Sequence, residues 1–286
     1  MKKSMALAVS AMMFITTLLM TACSKEKTDQ VVVNYIEPKN PAYLHIYTLF
    51  EEERHTLENL KVILSPFRLP WELKITLTEC EGEADAMYWN GEITICYEYV
   101  EELLNYMPED TSAAGIEPID TVIGPFLDTL LHEFAHALFD YLDLPILGRE
   151  EDAADQVSAY IYLHLGEAEA RRLIVGTVLA YKLEVEDTDP PTMEEYADEH
   201  STSEQRAFNL LCIAYGANPE LFADVVAWGG LPQYRVEICE EEYEHIAFAI
   251  DTLIGPHVDP DLARKIYDKS WLPKKDSGMF HKRKLD

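Results

Sequence analysis

The segment His132-Glu133-Phe134-Ala135-His136 lies inside an apolar stretch that decides the fold of this chain. The apolar residues recur at helical spacing and predict a helix over about residues 119–142. An α-helix turns roughly 100° per residue, so His132 and His136 lie within about 40° of each other, one turn apart. Burying two histidines in an apolar helix is unfavourable unless their ring nitrogens have partners. The pattern therefore predicts two imidazoles that bind one metal ion.

A second predicted helix follows a turn through Gly148 and begins with four acidic residues, Glu150, Glu151, Asp152 and Asp155. Zinc in a hydrolase usually has three protein ligands and one open position, so one carboxylate must join the two histidines. We expect Glu151 in this role, because Asp155 lies four residues later on the same face and can orient a ligand histidine. Glu150, Asp152 and Asp155 remain alternative third ligands. An acidic first turn is also favoured by the helix dipole alone.

These two motifs resemble the thermolysin-like gluzincins, in which HExxH is followed by a helix carrying ExxxD. The resemblance implies a zincin-like fold and one Zn²⁺ per chain, with His132, His136 and Glu151 as ligands. It implies that Asp155 accepts a hydrogen bond from a ligand histidine. It also implies that Glu133 takes a proton from the zinc-bound water and later passes it to the leaving amine.

Two further segments are candidates for substrate contact. The run from Ala84 to Gly91 is similar to the thermolysin segment that holds a peptide as an added strand, although a buried hairpin turn explains it equally well. His200, in Asp198-Glu199-His200, can donate a hydrogen bond to the developing oxyanion. The competing donors are Tyr196, Tyr215 and Tyr234.

A closer resemblance covers nearly the whole chain after residue 22, to a bacterial exported family labelled "putative metallopeptidase". The segments that carry it are Cys96-Tyr97-Glu98, HEFAH, the GREEDAADQ run of residues 148–156, Asp198-Glu199-His200 with Gln205-Arg206, Asn209-Leu210-Leu211-Cys212, Leu231-Pro232, and Cys239 with Glu242-Tyr243. The resemblance implies a zincin-like domain with zinc chemistry. It does not imply a particular substrate.

The first residues read as an export signal. Lys2 and Lys3 precede an apolar run over residues 5–19, and Met20-Thr21-Ala22-Cys23 looks like a bacterial lipobox. We expect cleavage before Cys23 and lipid on its sulfur, so that the protein is anchored in the cell envelope and touches the membrane through this lipid only. Cleavage after Ser24 would instead give a soluble periplasmic or secreted protein.

The chain has 52 acidic against 23 basic residues and a formal net charge of -29. Nucleic acid is therefore excluded as a partner, since its phosphates would be repelled. The end from Arg264 to Asp286 is basic, and we expect it to be solvated. Besides Cys23, four cysteines occur in a chain bound for an oxidising compartment. Proximity in sequence favours the disulfides Cys80–Cys96 and Cys212–Cys239.

Periodicity predicts an α+β fold with a small mixed sheet and a mainly helical C-terminal part. The predicted strands cover about residues 31–36, 71–77 and 93–96. The predicted helices cover about residues 42–64, 97–107, 119–142, 149–165, 167–183, 201–215, 219–228 and 237–253. We divide the chain into a signal peptide (1–22), a tether (23–30), one metallopeptidase domain (31–270) and a basic tail (271–286).

The sequence thus predicts a zinc-dependent metallopeptidase, a hydrolase that acts on a peptide or protein. Two alternatives stay open. The first is a catalytically silent lipoprotein that uses a zincin scaffold for binding. The second is an amidase that acts on a cell-wall substrate, because the same zinc chemistry serves any acyl carbon.

Overall fold

The chain forms a four-stranded sheet with helices packed against it in the computed structural model, which describes residues 30–186 and 190–272. The strands are β1 (Val31–Tyr35), β2 (Leu73–Thr78), β3 (Ala86–Trp89) and β4 (Glu92–Cys96). Their order is β1-β2-β4-β3. β2 runs parallel to both β1 and β4, and β3 is antiparallel to β4. The strand β3 therefore lies at one edge of the sheet.

Ten α-helices account for most of the rest of the described chain. They are α1 (Leu44–Tyr47), α2 (Thr56–Leu64), α3 (Tyr97–Tyr106), α4 (Asp120–Leu142), α5 (Glu150–His164), α6 (Glu167–Glu186), α7 (Ser203–Ala217), α8 (Asp224–Ala227), α9 (Gln233–Leu253) and α10 (Pro260–Tyr267). The predicted α+β class is confirmed. Among the described residues, none of these helices has the length and apolarity that crossing a membrane requires.

The helix α4 is the centre of the molecule and packs against β3, α3, α5 and α6. Leu131, Phe134 and Leu138 on this helix are completely buried. Gly124 lets α6 approach closely, because a Cβ at this position would lie 2.6 Å from the carbonyl oxygen of Leu173. Close packing on all sides holds the HExxH segment rigidly, which a preorganised site requires.

Two disulfides join neighbouring elements. Cys80–Cys96 ties the segment after β2 to the end of β4, and Cys212–Cys239 ties α7 to α9. These are the pairs that sequence proximity favours. The expected signal peptide, the lipidation site Cys23 and the tether up to residue 29 lie outside the described residues, as do residues 273–286 of the basic tail.

Three sequence-based expectations are wrong. The predicted helix 42–64 is divided: residues Thr48–Glu53 wind as a π-helix, and His55, with φ 50°, starts the separate helix α2. The predicted helix 219–228 is reduced to α8. The end from Arg264 is not solvated throughout, because α10 and Leu272 place apolar side chains in the core. Amphipathic periodicity detects an apolar face but not a break in the backbone.

Candidate metal centre

The helices α4 and α5 face each other and bring three ligand atoms together. The Nε2 atom of His132 lies 2.8 Å from Glu151 Oε2, and the Nε2 atom of His136 lies 3.2 Å from the same oxygen. The two Nε2 atoms are 3.1 Å apart. Tetrahedral zinc with bonds of about 2.0–2.1 Å separates its ligand atoms by roughly 3.3 Å. The three groups can therefore hold one metal ion.

The other nitrogen of each histidine is paired with a carboxylate. The Nδ1 atom of His132 lies 2.8 Å from Asp155 Oδ1, and the Nδ1 atom of His136 lies 2.9 Å from Glu150 Oε1. A carboxylate at Nδ1 selects the tautomer that carries its proton there. With the proton on Nδ1, each Nε2 atom can give up the proton that it shares with Glu151 and direct a lone pair at the same point when a cation occupies it. Two imidazole nitrogens and one carboxylate oxygen in this arrangement therefore fit a metal ion.

The four acidic residues at the start of α5 have separate contacts. Glu151 alone meets both Nε2 atoms. Glu150 and Asp155 meet the Nδ1 atoms, on the far side of each ring. Asp152 faces away and forms a salt bridge with Arg149 and a hydrogen bond with Ser201 Oγ at 2.8 Å. Of the four acids, Glu151 is therefore the one that could hold a metal ion together with His132 and His136.

Electrostatics keep Glu151 ionised. Its burial alone would raise the carboxyl pKa, but hydrogen bonds from His132, His136 and His200 hold that pKa far below its usual value. Burial lowers the pKa of His132, but Asp155 and Glu151 outweigh this effect and raise it to about 9. The carboxylate of Glu151 and the imidazoles around it therefore attract each other strongly, because they are partly shielded from water.

Arg206 on α7 completes the support of His132, and the sequence alone assigned it no role. Its Nε and Nη2 atoms donate to the two oxygens of Asp155 at 2.9 and 2.6 Å. The guanidinium lies over the ring of Tyr181, 5.2 Å from its centroid. Such a fork fixes both the position and the charge of the carboxylate. The signal in the sequence that could have indicated this role is the Gln205-Arg206 pair, which carries part of the family resemblance.

Glu133 follows His132 on α4 and points toward the sheet edge. Its Oε2 atom accepts a hydrogen bond of 2.6 Å from the backbone N–H of Tyr88 on β3. Burial raises the pKa of Glu133, although the two neighbouring histidines oppose the rise. A carboxylate with a raised pKa is suited to take up a proton and release it again.

The segment Ala84–Gly91 forms β3 and the hairpin turn after it, and this turn is not buried, so the interpretation as a buried hairpin turn is wrong in its burial. Asn90 and Gly91 have φ of 47° and 85° and close the hairpin to β4. The carbonyl of Asp85 accepts from Cys96 N of β4. In an antiparallel strand, the N–H and C=O groups of every second residue point to the partner strand. Those of Asp85 point to β4, so the N–H and C=O groups of Ala86 and Tyr88 point to the open edge of the sheet.

His200 reaches the centre from the loop before α7. Its Nε2 atom lies 2.9 Å from Glu151 Oε2, and its Nδ1 atom lies 3.2 Å from Asp198 Oδ1. The hydrogen bond with Glu151 is the main cause that raises the pKa of His200. Of the four expected donors, only His200 lines the cavity beside the centre, whereas Tyr196, Tyr215 and Tyr234 do not.

This cavity has a volume of about 280 Å³ and lies between β3, α3, α4, α6 and α7. His132, Glu133, His200 and Arg206 contribute to its wall. A space of this size beside a charged cluster can admit a side chain but not a folded domain.

A family model described as "Putative metallopeptidase" matches residues 35–254, which include every residue of the centre. The chain belongs to this family. The suspected family resemblance is thereby confirmed. No curated protein and no solved structure matches the chain. Membership in a metallopeptidase family and a cluster that can hold a metal ion agree on the general class of chemistry.

Proposed function

We propose that this protein is a zinc-dependent peptidase that hydrolyses peptide bonds. The observation that carries the proposal is the convergence of His132 Nε2, His136 Nε2 and Glu151 Oε2, with Glu133 lining the same cavity as His132. Two imidazoles and one carboxylate are a ligand set typical of catalytic zinc. When bound, zinc would act as a Lewis acid toward water and toward the carbonyl of the scissile amide.

Glu133 is the general base in this scheme. Tyr88 N–H holds its Oε2 atom, which leaves Oε1 to take a proton from the attacking water. Burial raises the pKa of Glu133 toward the range in which the proton can be returned to the leaving amine. The hydrogen bond from β3 also fixes the carboxylate relative to the strand that we expect to hold the substrate.

His200 is the proposed hydrogen-bond donor to the oxyanion. Asp198 Oδ1 accepts from the backbone N–H of His200 at 2.8 Å and also contacts its Nδ1 atom, so the loop holds the ring in one orientation. The hydrogen bond with Glu151 raises the pKa of His200, which favours the protonated ring that can donate from Nε2. Arg149 and Asp152 both bond Ser201 Oγ, which attaches this loop to the start of α5.

The open edge of β3 is the proposed place for the substrate backbone. The carbonyl groups of Ala86 and Tyr88 face this edge, and an extended peptide would add to the sheet there through main-chain hydrogen bonds. The peptide would then lie beside the cavity that Glu133 and His200 line.

The test combines zinc quantification with peptide hydrolysis. Glu133→Gln is expected to keep stoichiometric zinc and to lose about 10²–10⁴-fold in kcat, because only the base is removed. Glu151→Ala is expected to lose tight zinc binding, whereas its neighbour Asp152→Ala, the matched control that contacts neither ligand histidine, keeps the stoichiometric ion. Full activity in Glu133→Gln contradicts the proposal. Zinc-free wild-type protein would favour a binding role, and hydrolysis restricted to cell-wall amides would favour an amidase.

We also propose export and lipid attachment at Cys23. Two observations support this placement: the lipobox of residues 20–23, and two disulfides that use all four remaining cysteines. Disulfides persist in oxidising compartments. Mass spectrometry of the mature N-terminus is the test. A diacylglycerol on Cys23 that disappears in Cys23→Ala is expected, and an unmodified N-terminus after Ser24 would contradict it.

A further inference from the structure

The cavity beside the candidate metal centre carries three acidic side chains that the proposed mechanism does not use, Asp85, Glu102 and Glu184. Asp85 Oδ1 accepts a hydrogen bond of 2.8 Å from the backbone N–H of Ala86. Glu102 on α3 and Glu184 on α6 line the same space as His132 and Glu133. Both residues are exposed to solvent, and burial of the carboxyl group, followed by the charge of Glu184, raises the pKa of Glu102. Ser203 Oγ donates to Glu184 Oε2 at 3.1 Å.

No basic side chain neutralises this pair within residues 30–186 and 190–272. None of the salt bridges formed by lysine or arginine there involves Glu102 or Glu184. Arg206 does line the cavity, but its guanidinium is held by both oxygens of Asp155. Besides the imidazoles of His132 and His200, the cavity wall thus carries four carboxyl groups, whereas its one guanidinium is already paired with Asp155. A cation that enters it would relieve the repulsion between the two carboxylates.

The rest of the cavity wall suits the stem of a long basic side chain. Leu103 and Pro125 supply apolar surface, and Tyr106 supplies an aromatic ring. Tyr99 also contributes its ring, because its hydroxyl is engaged with Thr129 Oγ1 at 2.7 Å. Lysine and arginine bury their methylene groups along such surfaces and keep the charged end near carboxylates or aromatic rings. A volume of about 280 Å³ accommodates either side chain.

We propose that this cavity binds the side chain of a lysine or arginine that flanks the scissile bond, with Glu102 and Glu184 as the specificity-determining residues. The inference rests on the proposed function, because it places the cavity next to the bond that is cut. It makes the substrate class cationic peptides. The net charge of -29 favours the approach of such peptides to the whole surface.

The experiment measures binding and cleavage separately. Binding is measured by calorimetry in zinc-loaded Glu133→Gln protein, which leaves the peptide intact. The probes are two capped pentapeptides of alanine, one with lysine at the centre and one with norleucine. Cleavage is measured by mass spectrometry on a mixed peptide library with zinc-loaded wild-type protein. The variant Glu102→Gln/Glu184→Gln removes the pair of charges, and Glu237→Gln/Glu240→Gln removes two exposed charges of α9 that do not line the cavity.

The lysine peptide is expected to bind about tenfold more tightly than the norleucine peptide, because two partly screened ion pairs amount to about this factor. The ratio should approach one in Glu102→Gln/Glu184→Gln and stay near ten in the α9 control. Equal binding of the two peptides, or a ratio that survives loss of both carboxylates, overturns the inference. So does an equal loss of the ratio in the α9 control.

The cleavage arm distinguishes failure of this inference from failure of the proposed function. Cleavage next to lysine or arginine in the library supports both. Cleavage only between neutral residues contradicts the basic specificity but leaves the peptidase proposal standing. A preserved tenfold ratio in binding without cleavage of any peptide counts against the proposed function while it supports the cavity as a site for a basic side chain.

Discussion

Replacement of Arg206 by methionine tests whether the metal centre depends on a residue that cannot reach the metal. The guanidinium forms two hydrogen bonds with Asp155, and the two side chains are only 19% and 23% exposed. Burial raises the pKa of Asp155 and Arg206 is the main group that lowers it, so without Arg206 the carboxylate loses both this support and the fork that positions it against His132 Nδ1. Loss of such an outer contact typically weakens metal binding about 10–100-fold.

The same substitution also has a stability cost, which must be measured separately. Breaking a largely buried, doubly hydrogen-bonded ion pair destabilises the fold by about 3 kcal/mol. This corresponds to a decrease in Tm of about 6–12 °C for a chain of this size. Arg235 provides a matched control, because it forms a similar fork with Glu242 at 2.5 and 2.9 Å and is 20% exposed.

The assay is zinc competition with a chromophoric chelator, together with thermal unfolding of the zinc-free protein. Arg206→Met and Arg235→Met are expected to lose comparable stability, and only Arg206→Met is expected to lose zinc affinity. Arg206→Lys should lie between wild type and Arg206→Met, because lysine retains the charge without the fork. If both methionine variants bind zinc within about twofold of wild type, the reasoning about Arg206 is refuted.

Two further predictions concern the sheet edge and the packing of α4. Tyr88→Pro removes the N–H that holds Glu133, so kcat should fall about tenfold below that of Tyr88→Ala with zinc content unchanged; equal rates in the two variants would show that the hydrogen bond is not used. Gly124→Ala places a Cβ 2.6 Å from the carbonyl oxygen of Leu173, and denaturant unfolding should show a loss of about 1–3 kcal/mol. Gly255→Ala, whose Cβ would meet nothing closer than 3.9 Å, is the control and should be nearly neutral.

The local features of the candidate site could be predicted because they depend on helix geometry alone. His132 and His136 share a face through their spacing of four residues, and the acidic turn at residues 150–155 follows after a short loop. The helix over residues 119–142 was predicted within one residue of α4. The predicted helix 42–64 failed, because a left-handed residue at His55 interrupts an apolar face that continues on both sides of it.

Sequence by itself therefore determined the α+β class, the helix that carries the two histidines and the family, since these depend on periodicity and short motifs. The tertiary structure alone decided which of four neighbouring acids meets both Nε2 atoms, because one helical turn distributes them over different directions. It also decided the contact of Arg206 with Asp155, 51 residues apart, and the meeting of Glu102 with Glu184 in one cavity. Such contacts arise from how α3, α5, α6 and α7 pack around α4, and no local pattern encodes that packing.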